Sequence, residues 1–119
     1  MSSRLKLFKH PSNNNEMFLL EIENQKLTLH KSKDAGNNWS HKVSRNLTGT
    51  TQNTVDAVIS ESAGIVYIEA VISSGVSDVE TVIFNGTTMV VGSANATYST
   101  GDYAQIVAGS SNRFVALIR

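Results

Sequence analysis

No stretch of ten or more residues in this chain places apolar side chains at the helical spacings i, i+3, i+4 and i+7. Apolar runs of five to nine residues recur instead, alternating or continuous, with turn residues between them. A chain patterned this way has no helix to lay over a sheet, so its strands must cover one another. That restricts it to a sandwich, a barrel or a blade. The composition agrees. Val and Ile number 20 and suit half-buried pleated surfaces. Ser, Thr, Asn and Gly number 44 and supply turns and polar strand faces.

Several classes are excluded or disfavoured. The 119 residues fit one domain, long enough to bury a core without covalent staples. There is no cysteine, hence no disulfide, thiol nucleophile or Cys-based metal site. Ten basic residues balance ten acidic ones, which disfavours a nucleic-acid binder and a basic membrane-surface protein. No apolar run approaches the about 20 residues that span a bilayer. Met1 to His10 is basic but lacks an apolar stretch, so no secretory signal is expected. The compartment stays unassigned, and no cofactor is implied.

The alternation predicts ten strands. They are Leu5–Lys9, Glu16–Glu23, Lys26–Ser32, Trp39–Arg45, Val55–Ser60, Gly64–Ser73, Val79–Phe84, Thr87–Val91, Tyr103–Ala108 and Arg113–Ile118. Asn24-Gln25 turns the second strand into the third. Asn85-Gly86 reads as a two-residue hairpin turn. Polar connections run over Asn46–Thr54 and Gly92–Gly101. A shift of 48 carries Met17-Phe18-Leu19-Leu20 onto Ile65-Val66-Tyr67-Ile68, and that onto Arg113-Phe114-Val115-Ala116. Four strands per 40–50 residues is the period of a propeller blade. The expected units are 1–48, 49–96 and a half unit 97–119, together one all-β domain. The fold reading is an antiparallel partial β-propeller of about 2.5 four-stranded units. The alternative is a compact β-sandwich.

Ser32-Lys33-Asp34-Ala35-Gly36-Asn37-Asn38-Trp39 resembles the Asp-box, or BNR repeat, of sialidase-type β-propellers. That pattern is Ser/Thr-x-Asp-x-Gly-x-Thr-Trp. Ser32, Asp34, Gly36 and Trp39 match, and Asn38 stands where the pattern has Thr. Asp34 is suited to accept hydrogen bonds from turn amides. Gly36 is suited to a positive φ. Trp39 is expected to fold over the turn and bury its ring. The resemblance implies a structural hairpin between the third and fourth strands of a blade, away from any catalytic centre. The second unit has Phe84-Asn85-Gly86-Thr87-Thr88 in its place, without the Asp or the Trp.

The resemblance does not extend to catalysis. Sialidases of this pattern use an arginine triad, a Tyr nucleophile paired with Glu, and an Asp acid/base. Arg4, Arg45, Arg113 and Arg119 lack the arginine-isoleucine-proline context of that family. Tyr67 and Glu69 are strand neighbours at i, i+2, as are Glu21 and Glu23. A glycosidase needs two carboxylates across a cleft. The chain is therefore expected not to be an enzyme. His10, His30 and His41 are expected to be solvated strand residues. A metal site of His30, His41 and Asp34 is the sharper but disfavoured reading.

Charge is unevenly placed. Residues 1–45 carry eight Lys and Arg against four Asp and Glu, and residues 46–119 carry two against six. Such asymmetry suits head-to-tail contact between copies. It equally suits two units packed within one chain. Two and a half blades cannot close a ring, and open strand edges need cover. The leading expectation is a non-catalytic, self-associating β-module. Its Cys-free, Ser/Thr/Asn/Gly/Val-rich composition is similar to that of phage virion proteins, which implies a capsid decoration or tail component. The second expectation is a lectin-like module binding sugars through Trp39 or the Tyr98 and Tyr103 loop. A sialidase or glycosidase fragment comes last. No nucleic acid or membrane partner is expected.

Overall fold

The computed structural model describes residues 5–47, 54–73, 79–92, 97–98, 104–108 and 114–118. Among these residues the chain forms eleven strands and no helix. In chain order they are β1 (Leu5–Lys9), β2 (Met17–Glu23), β3 (Lys26–Ser32), β4 (His41–Asn46), β5 (Thr54–Ser62) and β6 (Ile65–Ser73). Then follow β7 (Val79–Asn85), β8 (Val90–Val91), β9 (Thr97–Tyr98), β10 (Ala104–Ala108) and β11 (Phe114–Ile118). The first sheet is an antiparallel meander, β1-β2-β3-β4. The second is β5-β6-β7-β8, with β9 also pairing β7. The third element is the β10–β11 hairpin.

Two hairpins use the tightest available turn. Asn24 and Gln25 both take left-handed backbones, φ 51° and 63°, between β2 and β3. Ala63 and Gly64 do the same between β5 and β6, φ 52° and 78°. Two left-handed residues match the twist of the strands they join. Asn85-Gly86 departs from the expectation, because neither residue is left-handed. Asn85 Oδ1 instead accepts from the amides of Thr87 (3.0 Å) and Thr88 (3.3 Å), and the left-handed residue is Met89. The turn is therefore longer than two residues, and Thr87 and Thr88 leave the strand assigned to them. β9 was not anticipated at all, because Thr97-Tyr98 lies inside a run that reads as polar connection.

The core lies between the two large sheets. Phe18, Leu20 and Ile22 of β2 and Leu27 and Leu29 of β3 form one wall. Val55 and Ala57 of β5, Val66, Ile68, Ala70 and Ile72 of β6, and Val82 and Phe84 of β7 form the other. Period-two alternation puts these residues on one face of each sheet.

The sheets stack with matching order and direction. β1 lies by β5 and β4 by β8. Near the strand starts, Lys6 Nζ lies 3.2 Å from Asp56 Oδ1. Just past the end of β1, Ser12 Oγ donates to Glu61 Oε2 at 3.2 Å. At the end of β3, Lys31 Nζ donates to the carbonyl of Gly86, just past β7, at 3.5 Å. Corresponding strands therefore run the same way. This geometry qualifies the repeat. A shift of 48 carries Phe18 and Leu20 onto Val66 and Ile68, yet all four point into the same core. In a same-direction stack, equivalent side chains point the same way along the stack. The shift of 48 thus aligns residues that face each other, and true equivalents lie an odd number of residues apart.

The charge asymmetry is used within the chain. Lys6–Asp56 and Arg45–Glu80 (3.8 Å) both join a basic residue of the first sheet to an acidic residue of the second. The stack continues beyond the second sheet, since β10 packs against β5 and β6. Val71 alternates away from the core yet is only 1% exposed.

Candidate functional site

The best-organised local structure is the connection from β3 to β4. Ser32, at the end of β3, is buried. Its hydroxyl donates to Asp34 Oδ1 at 2.8 Å and accepts from the amides of Asp34 (3.3 Å) and Gly36 (2.9 Å). Asp34 also receives the Asn38 amide on Oδ1 (2.8 Å) and the Asn38 side-chain NH2 on Oδ2 (2.7 Å). Asn38 thus supplies two donors where the Asp-box pattern has Thr. Ala35 and Gly36 are left-handed, φ 60° and 91°, which lets the chain wrap the carboxylate. The Ala35 amide donates to the carbonyl of Asn15 at 2.8 Å, tying this turn to the β1–β2 loop.

Hydrogen bonds from the Asn38 side chain and amide, and from the Ser32 hydroxyl, hold the Asp34 carboxyl below its ordinary value of 3.8. A lowered folded pKa gives a definite sign. The turn's contribution is complete above the unfolded aspartate value and is lost as pH falls through the folded one. We expect the gap in urea midpoint between the native chain and Asp34→Asn to be constant near neutrality. It should shrink on acidification below about pH 4. A gap that widens with acid would refute this account of the turn.

Trp39 corrects one expectation. Its indole N–H donates to the Gly36 carbonyl at 3.0 Å, so the ring does fold back over the turn. It does not become buried, because 37% of the residue stays exposed. The fold-back also takes Trp39 and Ser40 out of β4, which starts at His41. A shallow groove of about 350 Å³ beside the ring is lined by His30, Trp39, Ser40, His41 and Lys42. A second polar depression, lined by Glu21, Glu23, Asn24, Lys26, Thr28, His30, Lys42 and Ser44, adjoins it through His30 and Lys42. His30 and Lys42 are cross-strand partners and share the outer face of the first sheet. Of the other residues singled out in the sequence, Tyr98 pairs with Val79 at the sheet edge, and Tyr103 lies outside the described residues.

His10 and His30 are less solvated than their spacing suggests, whereas His41 is exposed as expected. His30 Nε2 sits 2.7 Å from Glu21 Oε1. His41 is opposite Lys31 in the ladder and His30 is opposite Lys42, so the two are not cross-strand partners, although both line the groove beside Trp39. Among the described residues no cluster of three His, Cys, Asp or Glu is placed to hold a metal ion. The Asp34 carboxylate is occupied by its own turn.

His10 belongs to a network that the sequence did not signal. Its Nδ1 accepts from the amides of Ser12 and Asn13, both at 3.0 Å, which leaves the proton on Nε2, 3.4 Å from Glu16 Oε2. The ring stacks on Phe18 with centroids 6.3 Å apart. Glu16 Oε1 lies 3.5 Å from Nζ of Lys31, which is only 6% exposed and 5.8 Å from the centre of the Phe18 ring. Loop and strand residues that are distant in sequence meet here, so no local motif marks the site.

Elsewhere, burial pushes the Glu69 carboxyl above its ordinary value. Its ladder partners are Val58 and Ile83, on the face of the second sheet away from the core. Tyr67 lies two residues before it on the same strand.

Comparison with protein-family models, with curated proteins and with solved structures gave no match. The Asp-box likeness therefore rests on the residues of 32–39 themselves.

Proposed function

We propose that the chain is a non-catalytic assembly module that associates with further copies of itself, stacking sheet on sheet as an open array of blade-like units. The observation that carries this is the uncovered outer face of the first sheet. On that face Leu5 is 55% and Leu7 59% exposed. Leu7 sits opposite Leu19 in the ladder, and Leu5 opposite Glu21 and Lys9 opposite Met17, so the β1–β2 half of this face carries an apolar patch flanked by charged residues. Within the chain the corresponding junctions are closed, by the large core on one side of the second sheet and by β10 on the other. A second copy that continues the stack would cover Leu5, Leu7 and Leu19. Such a head-to-tail contact is heterologous and gives a ring if its rotation closes. The likeness in composition to phage virion proteins fits this reading, as a decoration or tail component.

Light scattering on an eluting size-exclusion peak tests it. The native chain is expected as a discrete multiple of 12.9 kDa. Leu5→Lys with Leu7→Lys, both at exposed positions, is expected to return it to a monomer with an unchanged circular dichroism spectrum. A monomeric native chain at high concentration overturns the proposal. An oligomer that survives both substitutions removes this face from it.

A second reading, carbohydrate binding, is favoured by one specific observation. The chain's single tryptophan is hydrogen-bonded back to its own turn and remains partly exposed beside a groove lined by His30, Ser40, His41 and Lys42.

A further inference from the structure

The geometry points to a binding site for an acidic pyranose sugar at the β3–β4 end of the first sheet, with the sugar ring on Trp39 and its carboxylate at Lys42. This deepens the carbohydrate reading and shares the outer face of the first sheet with the assembly reading, since Glu21 of the adjoining depression is the ladder partner of Leu5.

Three observations converge. The first is the indole. Exposed tryptophans normally lose side-chain freedom when they bind, and that loss costs affinity. Trp39 has already lost it, because its Nε1 is bonded to the Gly36 carbonyl. A ring fixed in advance and left 37% exposed is a preorganised stacking surface for the C–H face of a pyranose. The second is charge. The groove beside the indole is lined by one lysine, two histidines and a serine, with no carboxylate in its wall. The carboxylates of that face, Glu21 and Glu23, lie in the adjoining depression, and Glu21 is engaged by His30 at 2.7 Å. Within the groove itself an anionic group is matched at Lys42. The third is the supply of hydroxyl partners. Thr28, Ser44, Asn24 and Lys26 extend from His30 and Lys42 along the adjoining depression, at the spacing of neighbouring strands. A ring stacked on Trp39 with its carboxylate at Lys42 would direct its remaining hydroxyls toward them. The turn that holds the ring is itself braced by Ser32, Asp34 and Asn38, so the platform is fixed to the sheet and not to a loose loop.

The same tryptophan provides the measurement, because the chain has one indole, which is excited selectively at wavelengths where its three tyrosines do not absorb. Methyl glucuronide is titrated into the full chain, with methyl glucoside and sodium acetate as separate titrants. A saturable change in Trp39 emission is expected with the glucuronide. Methyl glucoside is expected to bind about tenfold more weakly or worse, since a charge-assisted hydrogen bond is lost. Acetate, which has no ring to stack, is expected to leave the emission unchanged. Lys42→Ala, at an exposed position, is expected to weaken glucuronide binding by about the same factor and to leave glucoside binding as it was. No saturable change with either sugar overturns the site. An equal response to acetate overturns the stacking role, and equal affinity for both sugars overturns the anion pocket. Heat of glucuronide binding by calorimetry with no change at Trp39 would keep the carbohydrate reading while removing this site from it.

Discussion

Phe18→Ala is expected to destabilise the chain by about 3–5 kcal/mol, the largest effect of any single substitution considered for it. Phe18 is fully buried at the start of the β2 wall. Truncation there loses the transfer free energy of the ring and leaves a cavity that rigid strands fill poorly. It also removes three neighbours at once. The His10 ring loses its stacking surface. Lys31 loses the aromatic face beneath its ammonium group. Gly86 loses the ring against which it packs. Urea denaturation gives the number directly. Native domains hold only about 5–15 kcal/mol in all, so Phe18→Leu is the companion variant should the alanine chain fail to fold. A cost under about 1 kcal/mol for Phe18→Ala would mean that the two sheets do not share the core described.

Gly86→Val is expected to cost about 1–3 kcal/mol by overpacking. A β-carbon at Gly86 would come within 3.0 Å of Phe18 Cε1 and 3.3 Å of its Cζ. The ring cannot retreat, because it is enclosed by the core on one side and by His10 and Lys31 on the other. The backbone cannot retreat easily either. The Gly86 amide donates to the Val66 carbonyl at 2.9 Å, and the neighbouring Thr87 hydroxyl accepts from the Val66 amide at 2.9 Å. This glycine is needed for closeness and not for a left-handed backbone. The two substitutions should therefore couple. In the Phe18→Ala background the valine has room, and its cost should fall well below its value in the native chain. Simple additivity in the double mutant would separate Gly86 from Phe18.

The contrast between these two residues shows what the sequence made legible. Phe18 lies in an alternating run, Met17 to Glu23, and alternation identifies it as a core residue without a structure. β3 is legible to the residue for the same reason, Lys26 to Ser32, because Leu27 and Leu29 share one face and charged or polar residues flank them. Gly86 is visible only as a turn residue. Its real constraint comes from a strand nearly 70 positions earlier, and local pattern carries no trace of such a contact. The Asp34 turn was legible because the partners of its carboxylate lie within residues 32–39. The exposure of Trp39 was not. Whether a ring bent back over its own turn is then covered depends on what the rest of the chain brings there. The buried pairing of Lys31 with Glu16 was hidden for a further reason. Lys31 follows the alternation Leu27, Leu29 inward, but a lysine reads as a surface residue until its partner is seen. Strand ends moved for local causes, as when Thr87 and Thr88 were drawn into the Asn85 turn.

The far edge of the second sheet has a consequence for how copies of this chain can meet. β8 and β9 are only two residues each. Val91 lies opposite Phe84 and Tyr98 opposite Val79, so the edge uses two more residues than β7 does over the same distance. A continuous edge would offer an unbroken row of amides and carbonyls, open to any extended chain. This one changes register partway, and a straight foreign strand cannot follow it. Lateral growth by hydrogen bonding, the route to fibrils, is disfavoured at that edge. In the assembly proposed above, copies would meet instead through the sheet faces, where side chains set the fit and the number of copies can be finite.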